Sequence, residues 1–241
     1  MSSRRGRQTT LLLAVFGVVV CCAVAGTASG IAGIVNVQTN KIVSVYSNNM
    51  NNKPQYREIK TVTSGNKCKR QYQERRKQME ISTTEGPRHC FFKPPVQGSN
   101  PQPDHRWEAR ARMLTKTPSS IRLDAYLSLS ARVGGGDRYE LRVFPKDREF
   151  EIRRKPGGAN FPHTGSNNAI KPMGEANQLR LIVEGTHVRA IANGTQLADV
   201  NDPQAGQIRG AKVEFGVGNL KNTSKPTLAT FDGLKLAVPD P

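Results

Sequence analysis

Three carboxylates fall at alternate positions in this chain: Asp147, Glu149 and Glu151. Side chains of an extended strand alternate between faces, so the spacing predicts all three on one side. Two such carboxylates about 5.5 Å apart can act as nucleophile and acid/base in retaining glycoside hydrolysis. The same stretch holds Arg148, Arg153 and Arg154, while Phe150 and Ile152 supply an alternating apolar side. A solvated, salt-bridged strand face is therefore the expectation, and a catalytic strand is the alternative. Other chemistry has less support. The sequence contains no Gly-x-Ser-x-Gly, no His-Glu-x-x-His and no phosphate-cradling glycine loop. Gly134-Gly135-Gly136 has no helical pattern after it and reads as a loop between strands. His105, His163 and His187 stand isolated and are expected at the surface or in loops. His89 next to Cys90 makes a poor metal site, so no metal is expected there. Asp199 and Asp202 are the candidate calcium ligands; no other cofactor is expected.

Binding has more candidates. Arg110 and Arg112 share one face of the alternating run Arg106–Leu114, whose other face holds Trp107, Ala109, Ala111 and Met113. Trp107 is accordingly assigned to the core. Of the remaining aromatic candidates for sugar stacking, Phe91, Phe92, Tyr126 and Phe161, only Phe161 lies in a loop, within the Gly157–Gly174 stretch rich in Asn, Pro and Gly. Arg110, Arg112 and Phe161 are thus the candidate ligand-binding residues. The net charge is +17; setting aside Arg4, Arg5 and Arg7 leaves 33 basic against 19 acidic residues and a body at +14. A field of that sign favours anionic partners. Nucleic-acid binding would require base-stacking aromatics or a known module, and neither is visible.

The elements that must position these residues are strands. Ile121–Ala131, Tyr139–Phe144 and the run around Phe150 lead into four alternating runs. These are Asn177–Gly185, His187–Val200, Lys212–Gly218 and Ala229–Leu236. A period of two with one apolar side is the mark of antiparallel strands buried on one face. Asn193-Gly194 tolerates the positive φ that a type I′ hairpin turn needs. Val37–Tyr46 is expected as a first strand, Asn48–Asn52 as a loop, and the basic stretch Gln55–Ile81 as a short exposed helix or an edge strand. Lys93–Asp104, with four prolines, is a loop.

The order of a leucine-rich strand, an Asn-Gly hairpin, a glycine-rich strand and Phe231-Asp232-Gly233-Leu234-Lys235-Leu236 resembles the C-terminal half of concanavalin-A-like lectin and glucanase sandwiches. It is most similar to the laminin-G-like and 3-keto-glycoside-hydrolase-like modules of bacterial envelope proteins, and the likeness extends back to about Lys41. The resemblance implies an all-β antiparallel jelly-roll sandwich and, as a function, glycan binding. Glycosidases of this class carry Glu-x-Asp-x-Glu or Glu-x-Asp-x-x-Glu, and the order here is Asp-x-Glu-x-Glu.

Ahead of the sandwich the chain looks like a targeting segment. Residues 1–10 form a basic n-region, and residues 11–37 hold no charge over 27 positions, long enough to cross a bilayer. The expectation is a single-pass anchor with residues 38–241 extracytoplasmic; the alternative is secretion after cleavage near Ala25. Cys68 and Cys90, the two cysteines of the body, are expected to form a disulfide in that oxidising compartment. The function expected from all this is a non-catalytic, membrane-anchored module that binds a glycan or an anionic envelope polymer. A sandwich glycoside hydrolase using Asp147, Glu149 and Glu151, or a structural envelope protein without small ligand, are the alternatives.

Overall fold

The computed structural model describes residues 42–63, 68–83, 89–95, 104–221 and 224–239. Residues 1–41, with the expected n-region and anchor, lie outside them. Fifteen strands are seen among the described residues. The first sheet contains β1 (Ile42–Asn48), β3 (Cys68–Gln73), β4 (Gln78–Thr83), β6 (His105–Met113), β11 (Asn177–Glu184), β12 (His187–Ala192), β13 (Thr195–Asn201) and β15 (Leu228–Pro239). The second contains β2 (Lys60–Thr61), β5 (Cys90–Lys93), β7 (Ala125–Gly134), β8 (Asp137–Phe144), β9 (Glu149–Lys155), β10 (His163–Ser166) and β14 (Lys212–Asn219). A short helix, α1 (Lys53–Glu58), precedes β2.

The strand orders are β13-β12-β11-β6-β15-β4-β3 and β10-β9-β8-β7-β14-β5-β2, with β1 also on β15. Every pairing is antiparallel, and sheet neighbours such as β15 and β6 are far apart in sequence, which is jelly-roll connectivity. β15 reads along β6 on one side. Its other side serves β4 through Leu228–Phe231 and β1 from Leu234 onward. Gly233 sits at this changeover with φ 58°, in the register shift between Asp232 and Lys235. A glycine supplies the bend there without a Cβ penalty.

The alternation seen in the sequence becomes the interface between the sheets. Trp107, Ala109, Ala111, Leu179, Leu181, Phe231 and Leu236 from the first sheet meet Phe92, Leu127, Leu129, Leu141, Val143 and Phe215 from the second, all essentially solvent-free. Trp107 is the cross-brace. Its ring centroid lies 6.3 Å from that of Phe215, and its indole N–H donates to the Glu214 carbonyl at 2.9 Å. A buried indole needs such a partner, so packing and hydrogen bonding fix the same register. Asn193 and Gly194 have φ of 52° and 86°, as the type I′ turn between β12 and β13 requires. Cys68 and Cys90 are disulfide-bonded, joining the first sheet to the second.

Gln55–Ile81 holds both expected forms, a short exposed helix in α1 and an edge strand in β3, with β2 and much of β4 beside them. Other expectations are corrected. The Gly157–Gly174 loop contains β10, an edge strand on β9. His105 is buried at 2% exposure, its Nδ1 accepting the Arg132 backbone N–H at 3.2 Å. It is a core histidine because β6 continues inward two residues before Trp107.

Candidate functional site: the outer face of the second sheet

On β7, β8 and β14 one set of alternate residues enters the core, so the other set builds an outer face. Antiparallel pairing arranges that set in rows. Glu214 of β14 pairs with Ser130 of β7, which pairs with Glu140 of β8, which pairs with Arg153 of β9. The next row runs Phe91, Gly216, Ser128, Arg142, Glu151 and Thr164 across six strands. Glycine at 216 and 218 has a specific cause. A Cβ at 216 would stand 2.1 Å from the Cys90 carbonyl oxygen, and one at 218 would stand 2.4 Å from the Tyr126 ring.

This face is polar yet largely covered. Ser128, Ser130, Glu140, Arg142 and Glu214 are all buried. Charge on such a face is tolerated because it is paired. Arg142 grips Glu140 with two bonds, Nε to Oε1 at 3.0 Å and Nη2 to Oε2 at 3.1 Å, and the Ser128 hydroxyl donates to the same carboxylate at 2.9 Å. Arg142 also reaches Glu151 at 3.5 Å, which Arg153 approaches at 3.7 Å. Arg138 holds Glu214 at 3.0 Å. Burial raises the Glu214 pKa, and Arg138 opposes that rise. The Ser130 hydroxyl, between Glu214 and Glu140, is buried without a hydrogen-bond partner.

A cavity of about 420 Å³ opens over this floor. Phe91 and Phe161 form apolar walls, and His89 is a third ring, its centroid 5.4 Å from that of Phe91. The cations lining it are Arg138, Arg142, Arg153, Arg154 and Lys155, against the single carboxylate Glu140. Arg138 lies 5.0 Å over the Phe91 ring and Arg142 lies 4.6 Å over Tyr126. Arg154 is anchored to Asp202 at 3.4 Å and to Gln204 at 2.9 Å, which fixes the far wall. His89 meets the Tyr126 hydroxyl through Nδ1. Burial pushes its pKa down to about 4, so the imidazole is neutral at pH 7. A second hollow of about 810 Å³ continues toward β10 and is shared through Arg142 and Arg153. It ends at Leu123 and Leu220, which are 55% and 51% exposed. The two hollows form one groove with paired charge at its centre.

The carboxylate row expected on β9 is not a row. Asp147 sits in the four-residue turn Pro145–Arg148, where Arg148 takes φ 58°, so it does not share the strand face. Glu149 is exposed at the start of β9, and Glu151 is the member bound up with Arg142 and Arg153. Phe161 is half-buried rather than free, its ring tilted against that of Tyr139 with centroids 5.8 Å apart while facing the groove. Arg110 and Arg112 lie on the other sheet, on a separate basin of about 420 Å³ with Lys171, Glu175 and Gln178. Asp199 pairs with His187 at 2.9 Å, while the Tyr139 hydroxyl donates to Asp202 at 2.6 Å. The two aspartates thus have different partners. Among the described residues no group of three or more His, Cys, Asp or Glu converges as a metal site. Sequence reasoning passed over Glu140, Arg142 and Glu214, and weighed His89 only as a metal ligand. The available signal was a charge or glycine at every second place inside otherwise core-forming strands.

Neither a protein-family model nor a curated protein matches this sequence. Solved structures do match by shape. The chain is similar to a protein of unknown function with a galectin-like fold from Bacillus subtilis, at 13% identity and TM-score 0.56, covering 82% of this chain and 97% of that one. It is similar to a Bacillus licheniformis beta-glucanase at 12% identity and TM-score 0.57, covering 82% and 98%. A transglycosylase in complex with NAG matches at 7% identity and TM-score 0.59, covering 81% and 84%. The fold is that of the concanavalin-A-like sandwiches. Such identities establish the architecture alone, since one fold hosts many activities.

Proposed function

We propose that this chain is an extracytoplasmic, membrane-anchored module that binds an acidic glycan in the groove on the outer face of its second sheet, without cleaving it. The observation that carries the reading is the make-up of that groove: five cations and three rings line a cavity of about 420 Å³, and a second hollow prolongs it. Rings offer flat apolar faces to a pyranose, and guanidinium groups recognise carboxylate or sulfate in a fork geometry. Lys155, which makes no ion pair among the described residues, supplies charge that the protein itself does not neutralise.

Non-catalysis is supported by the same geometry. A glycosidase needs one carboxylate free to attack and another that holds a proton. Glu140, Glu151 and Glu214 are each engaged by an arginine. The neighbours of this fold that process glycans include a beta-glucanase and endo-acting O-glycanases, which makes a saccharide the natural ligand class to test. The basin of Arg110 and Arg112 gives a second reading of the same function, because the buried Arg112 Nε has no hydrogen-bond partner.

The test is titration calorimetry of the full chain, held in detergent, against uronate-containing and neutral oligosaccharides over a salt series. Binding to the acidic set that weakens as salt rises is expected. Lys155→Glu should abolish it if the groove is the site, whereas Arg110→Glu with Arg112→Glu should do so if the basin is. Equal binding to neutral sugars, unmoved by salt, would overturn the reading.

A further inference from the structure

The positive charge of the body is concentrated. Between Lys53 and Lys77, nine Lys and Arg stand against Glu58 and Glu74, so 25 residues carry +7 of the body's +14. The described part of this stretch forms an ordered platform. The Arg70 guanidinium lies 4.8 Å over the Tyr56 ring and donates to the Ile59 carbonyl, tying β3 to α1. The Tyr56 and Tyr72 rings pack in a tilted arrangement with centroids 5.8 Å apart, and the Tyr72 hydroxyl donates to the Met50 carbonyl at 3.1 Å. Lys53, at 4.0 Å from Glu74, links the helix to the β3–β4 turn. The turn, the helix and β2 present Lys53, Arg57, Lys60, Arg75, Arg76 and Lys77, all exposed. Their only ion pair among the described residues is Lys53 with Glu74, whose side chain is 78% exposed.

We infer that this edge of the sandwich lies on the anionic lipid headgroups of the bilayer that holds residues 11–37. The inference rests on the anchor in the proposed function. Val37 and Ile42 are five residues apart, so the intervening chain reaches at most about 18 Å. A domain tethered that closely stays at the surface, where each basic residue strengthens association about fivefold. The platform occupies the β2 and β3 ends of the sheets, whereas the groove crosses the outer face of the second sheet from Phe91 on β5 to β9 and β10. Docking through that edge leaves the β9 and β10 end of the groove open for ligand.

The experiment reconstitutes the full chain with phosphatidylcholine vesicles, with and without phosphatidylglycerol. It reads flotation together with backbone hydrogen exchange over α1 and the β3–β4 turn. Flotation with both vesicle types, with exchange slowed at least about tenfold only on the anionic ones and restored at high salt, is the expected result. The triple variant R75E/R76E/K77E should float as before and lose the slowing. Flotation with both and equal exchange on both would overturn the docking while leaving the anchor. Flotation with anionic vesicles alone would overturn the anchor and support the docking. Flotation with neither would overturn both.

Discussion

Phe161 and His89 show how single side chains set the properties of the groove. Phe161 is held against Tyr139 on one side and faces the cavity with the other. Phe161→Ala should weaken acidic-oligosaccharide binding about tenfold, read by calorimetry, with little change in melting temperature, since a ring contact is worth about 0.5–1.5 kcal/mol beyond its area. His89 stays neutral because burial, reinforced by Arg142, Arg138 and Arg153, outweighs the pull of Glu140. The pKa of His89 in the fold is about 4 and the unfolded value is 6.5, so the unfolded chain binds the extra proton first. This part of the stability is therefore complete above pH 6.5 and is lost progressively as pH falls toward 4. Denaturant midpoints measured across that window should fall for the native chain, and the fall should be smaller in His89→Gln.

Elements carry the next level of explanation. β14 reaches its place between β5 and β7 only because Gly216 has no side chain; Gly216→Ala sets a Cβ against the Cys90 carbonyl. Forcing extra volume into a packed strand pair costs about 1–3 kcal/mol. Chemical denaturation should show that loss together with a drop in glycan affinity, because Phe91 on β5 walls the groove. The Cys68–Cys90 bond closes a loop with sequence separation 22 and joins the edge strand β3 to the other sheet. Replacing both cysteines by serine should lower stability by roughly 3 kcal/mol. The β3–β4 hairpin should show the earliest loss of exchange protection, since β3 is paired on one side only.

At the level of the whole molecule, paired charge separates a binding groove from an active one. If Glu151 is a clamp for Arg142 and Arg153, Glu151→Gln should keep the fold and alter affinity by only a few-fold, with no sugar release before or after the change. Release of reducing sugar by the native chain, abolished in that variant, would instead establish a hydrolase. The net charge of +17 predicts salt-sensitive association with polyanions in general. The platform at α1 and the β3–β4 turn should account for much of it, and the groove for the part that depends on sugar.

The alternation from Arg106 to Met113 and from Asn177 onward was sufficient for an all-β antiparallel fold, because a period of two leaves only one face for the core. Asn193-Gly194 likewise announced its turn, and two body cysteines announced their bond. The site was a different matter. Asp147, Glu149 and Glu151 looked collinear only while the strand was assumed to begin before Glu149; the left-handed Arg148 ends that assumption. Glu140, Arg142 and Glu214 drew no reading from the sequence, and His89 only that of a poor metal ligand. β14 lies between β5 and β7, bringing residues 91, 128, 142 and 216 into one row. Local pattern determines which face a side chain takes, but pairing between distant strands decides its neighbours, and only the tertiary structure records that pairing.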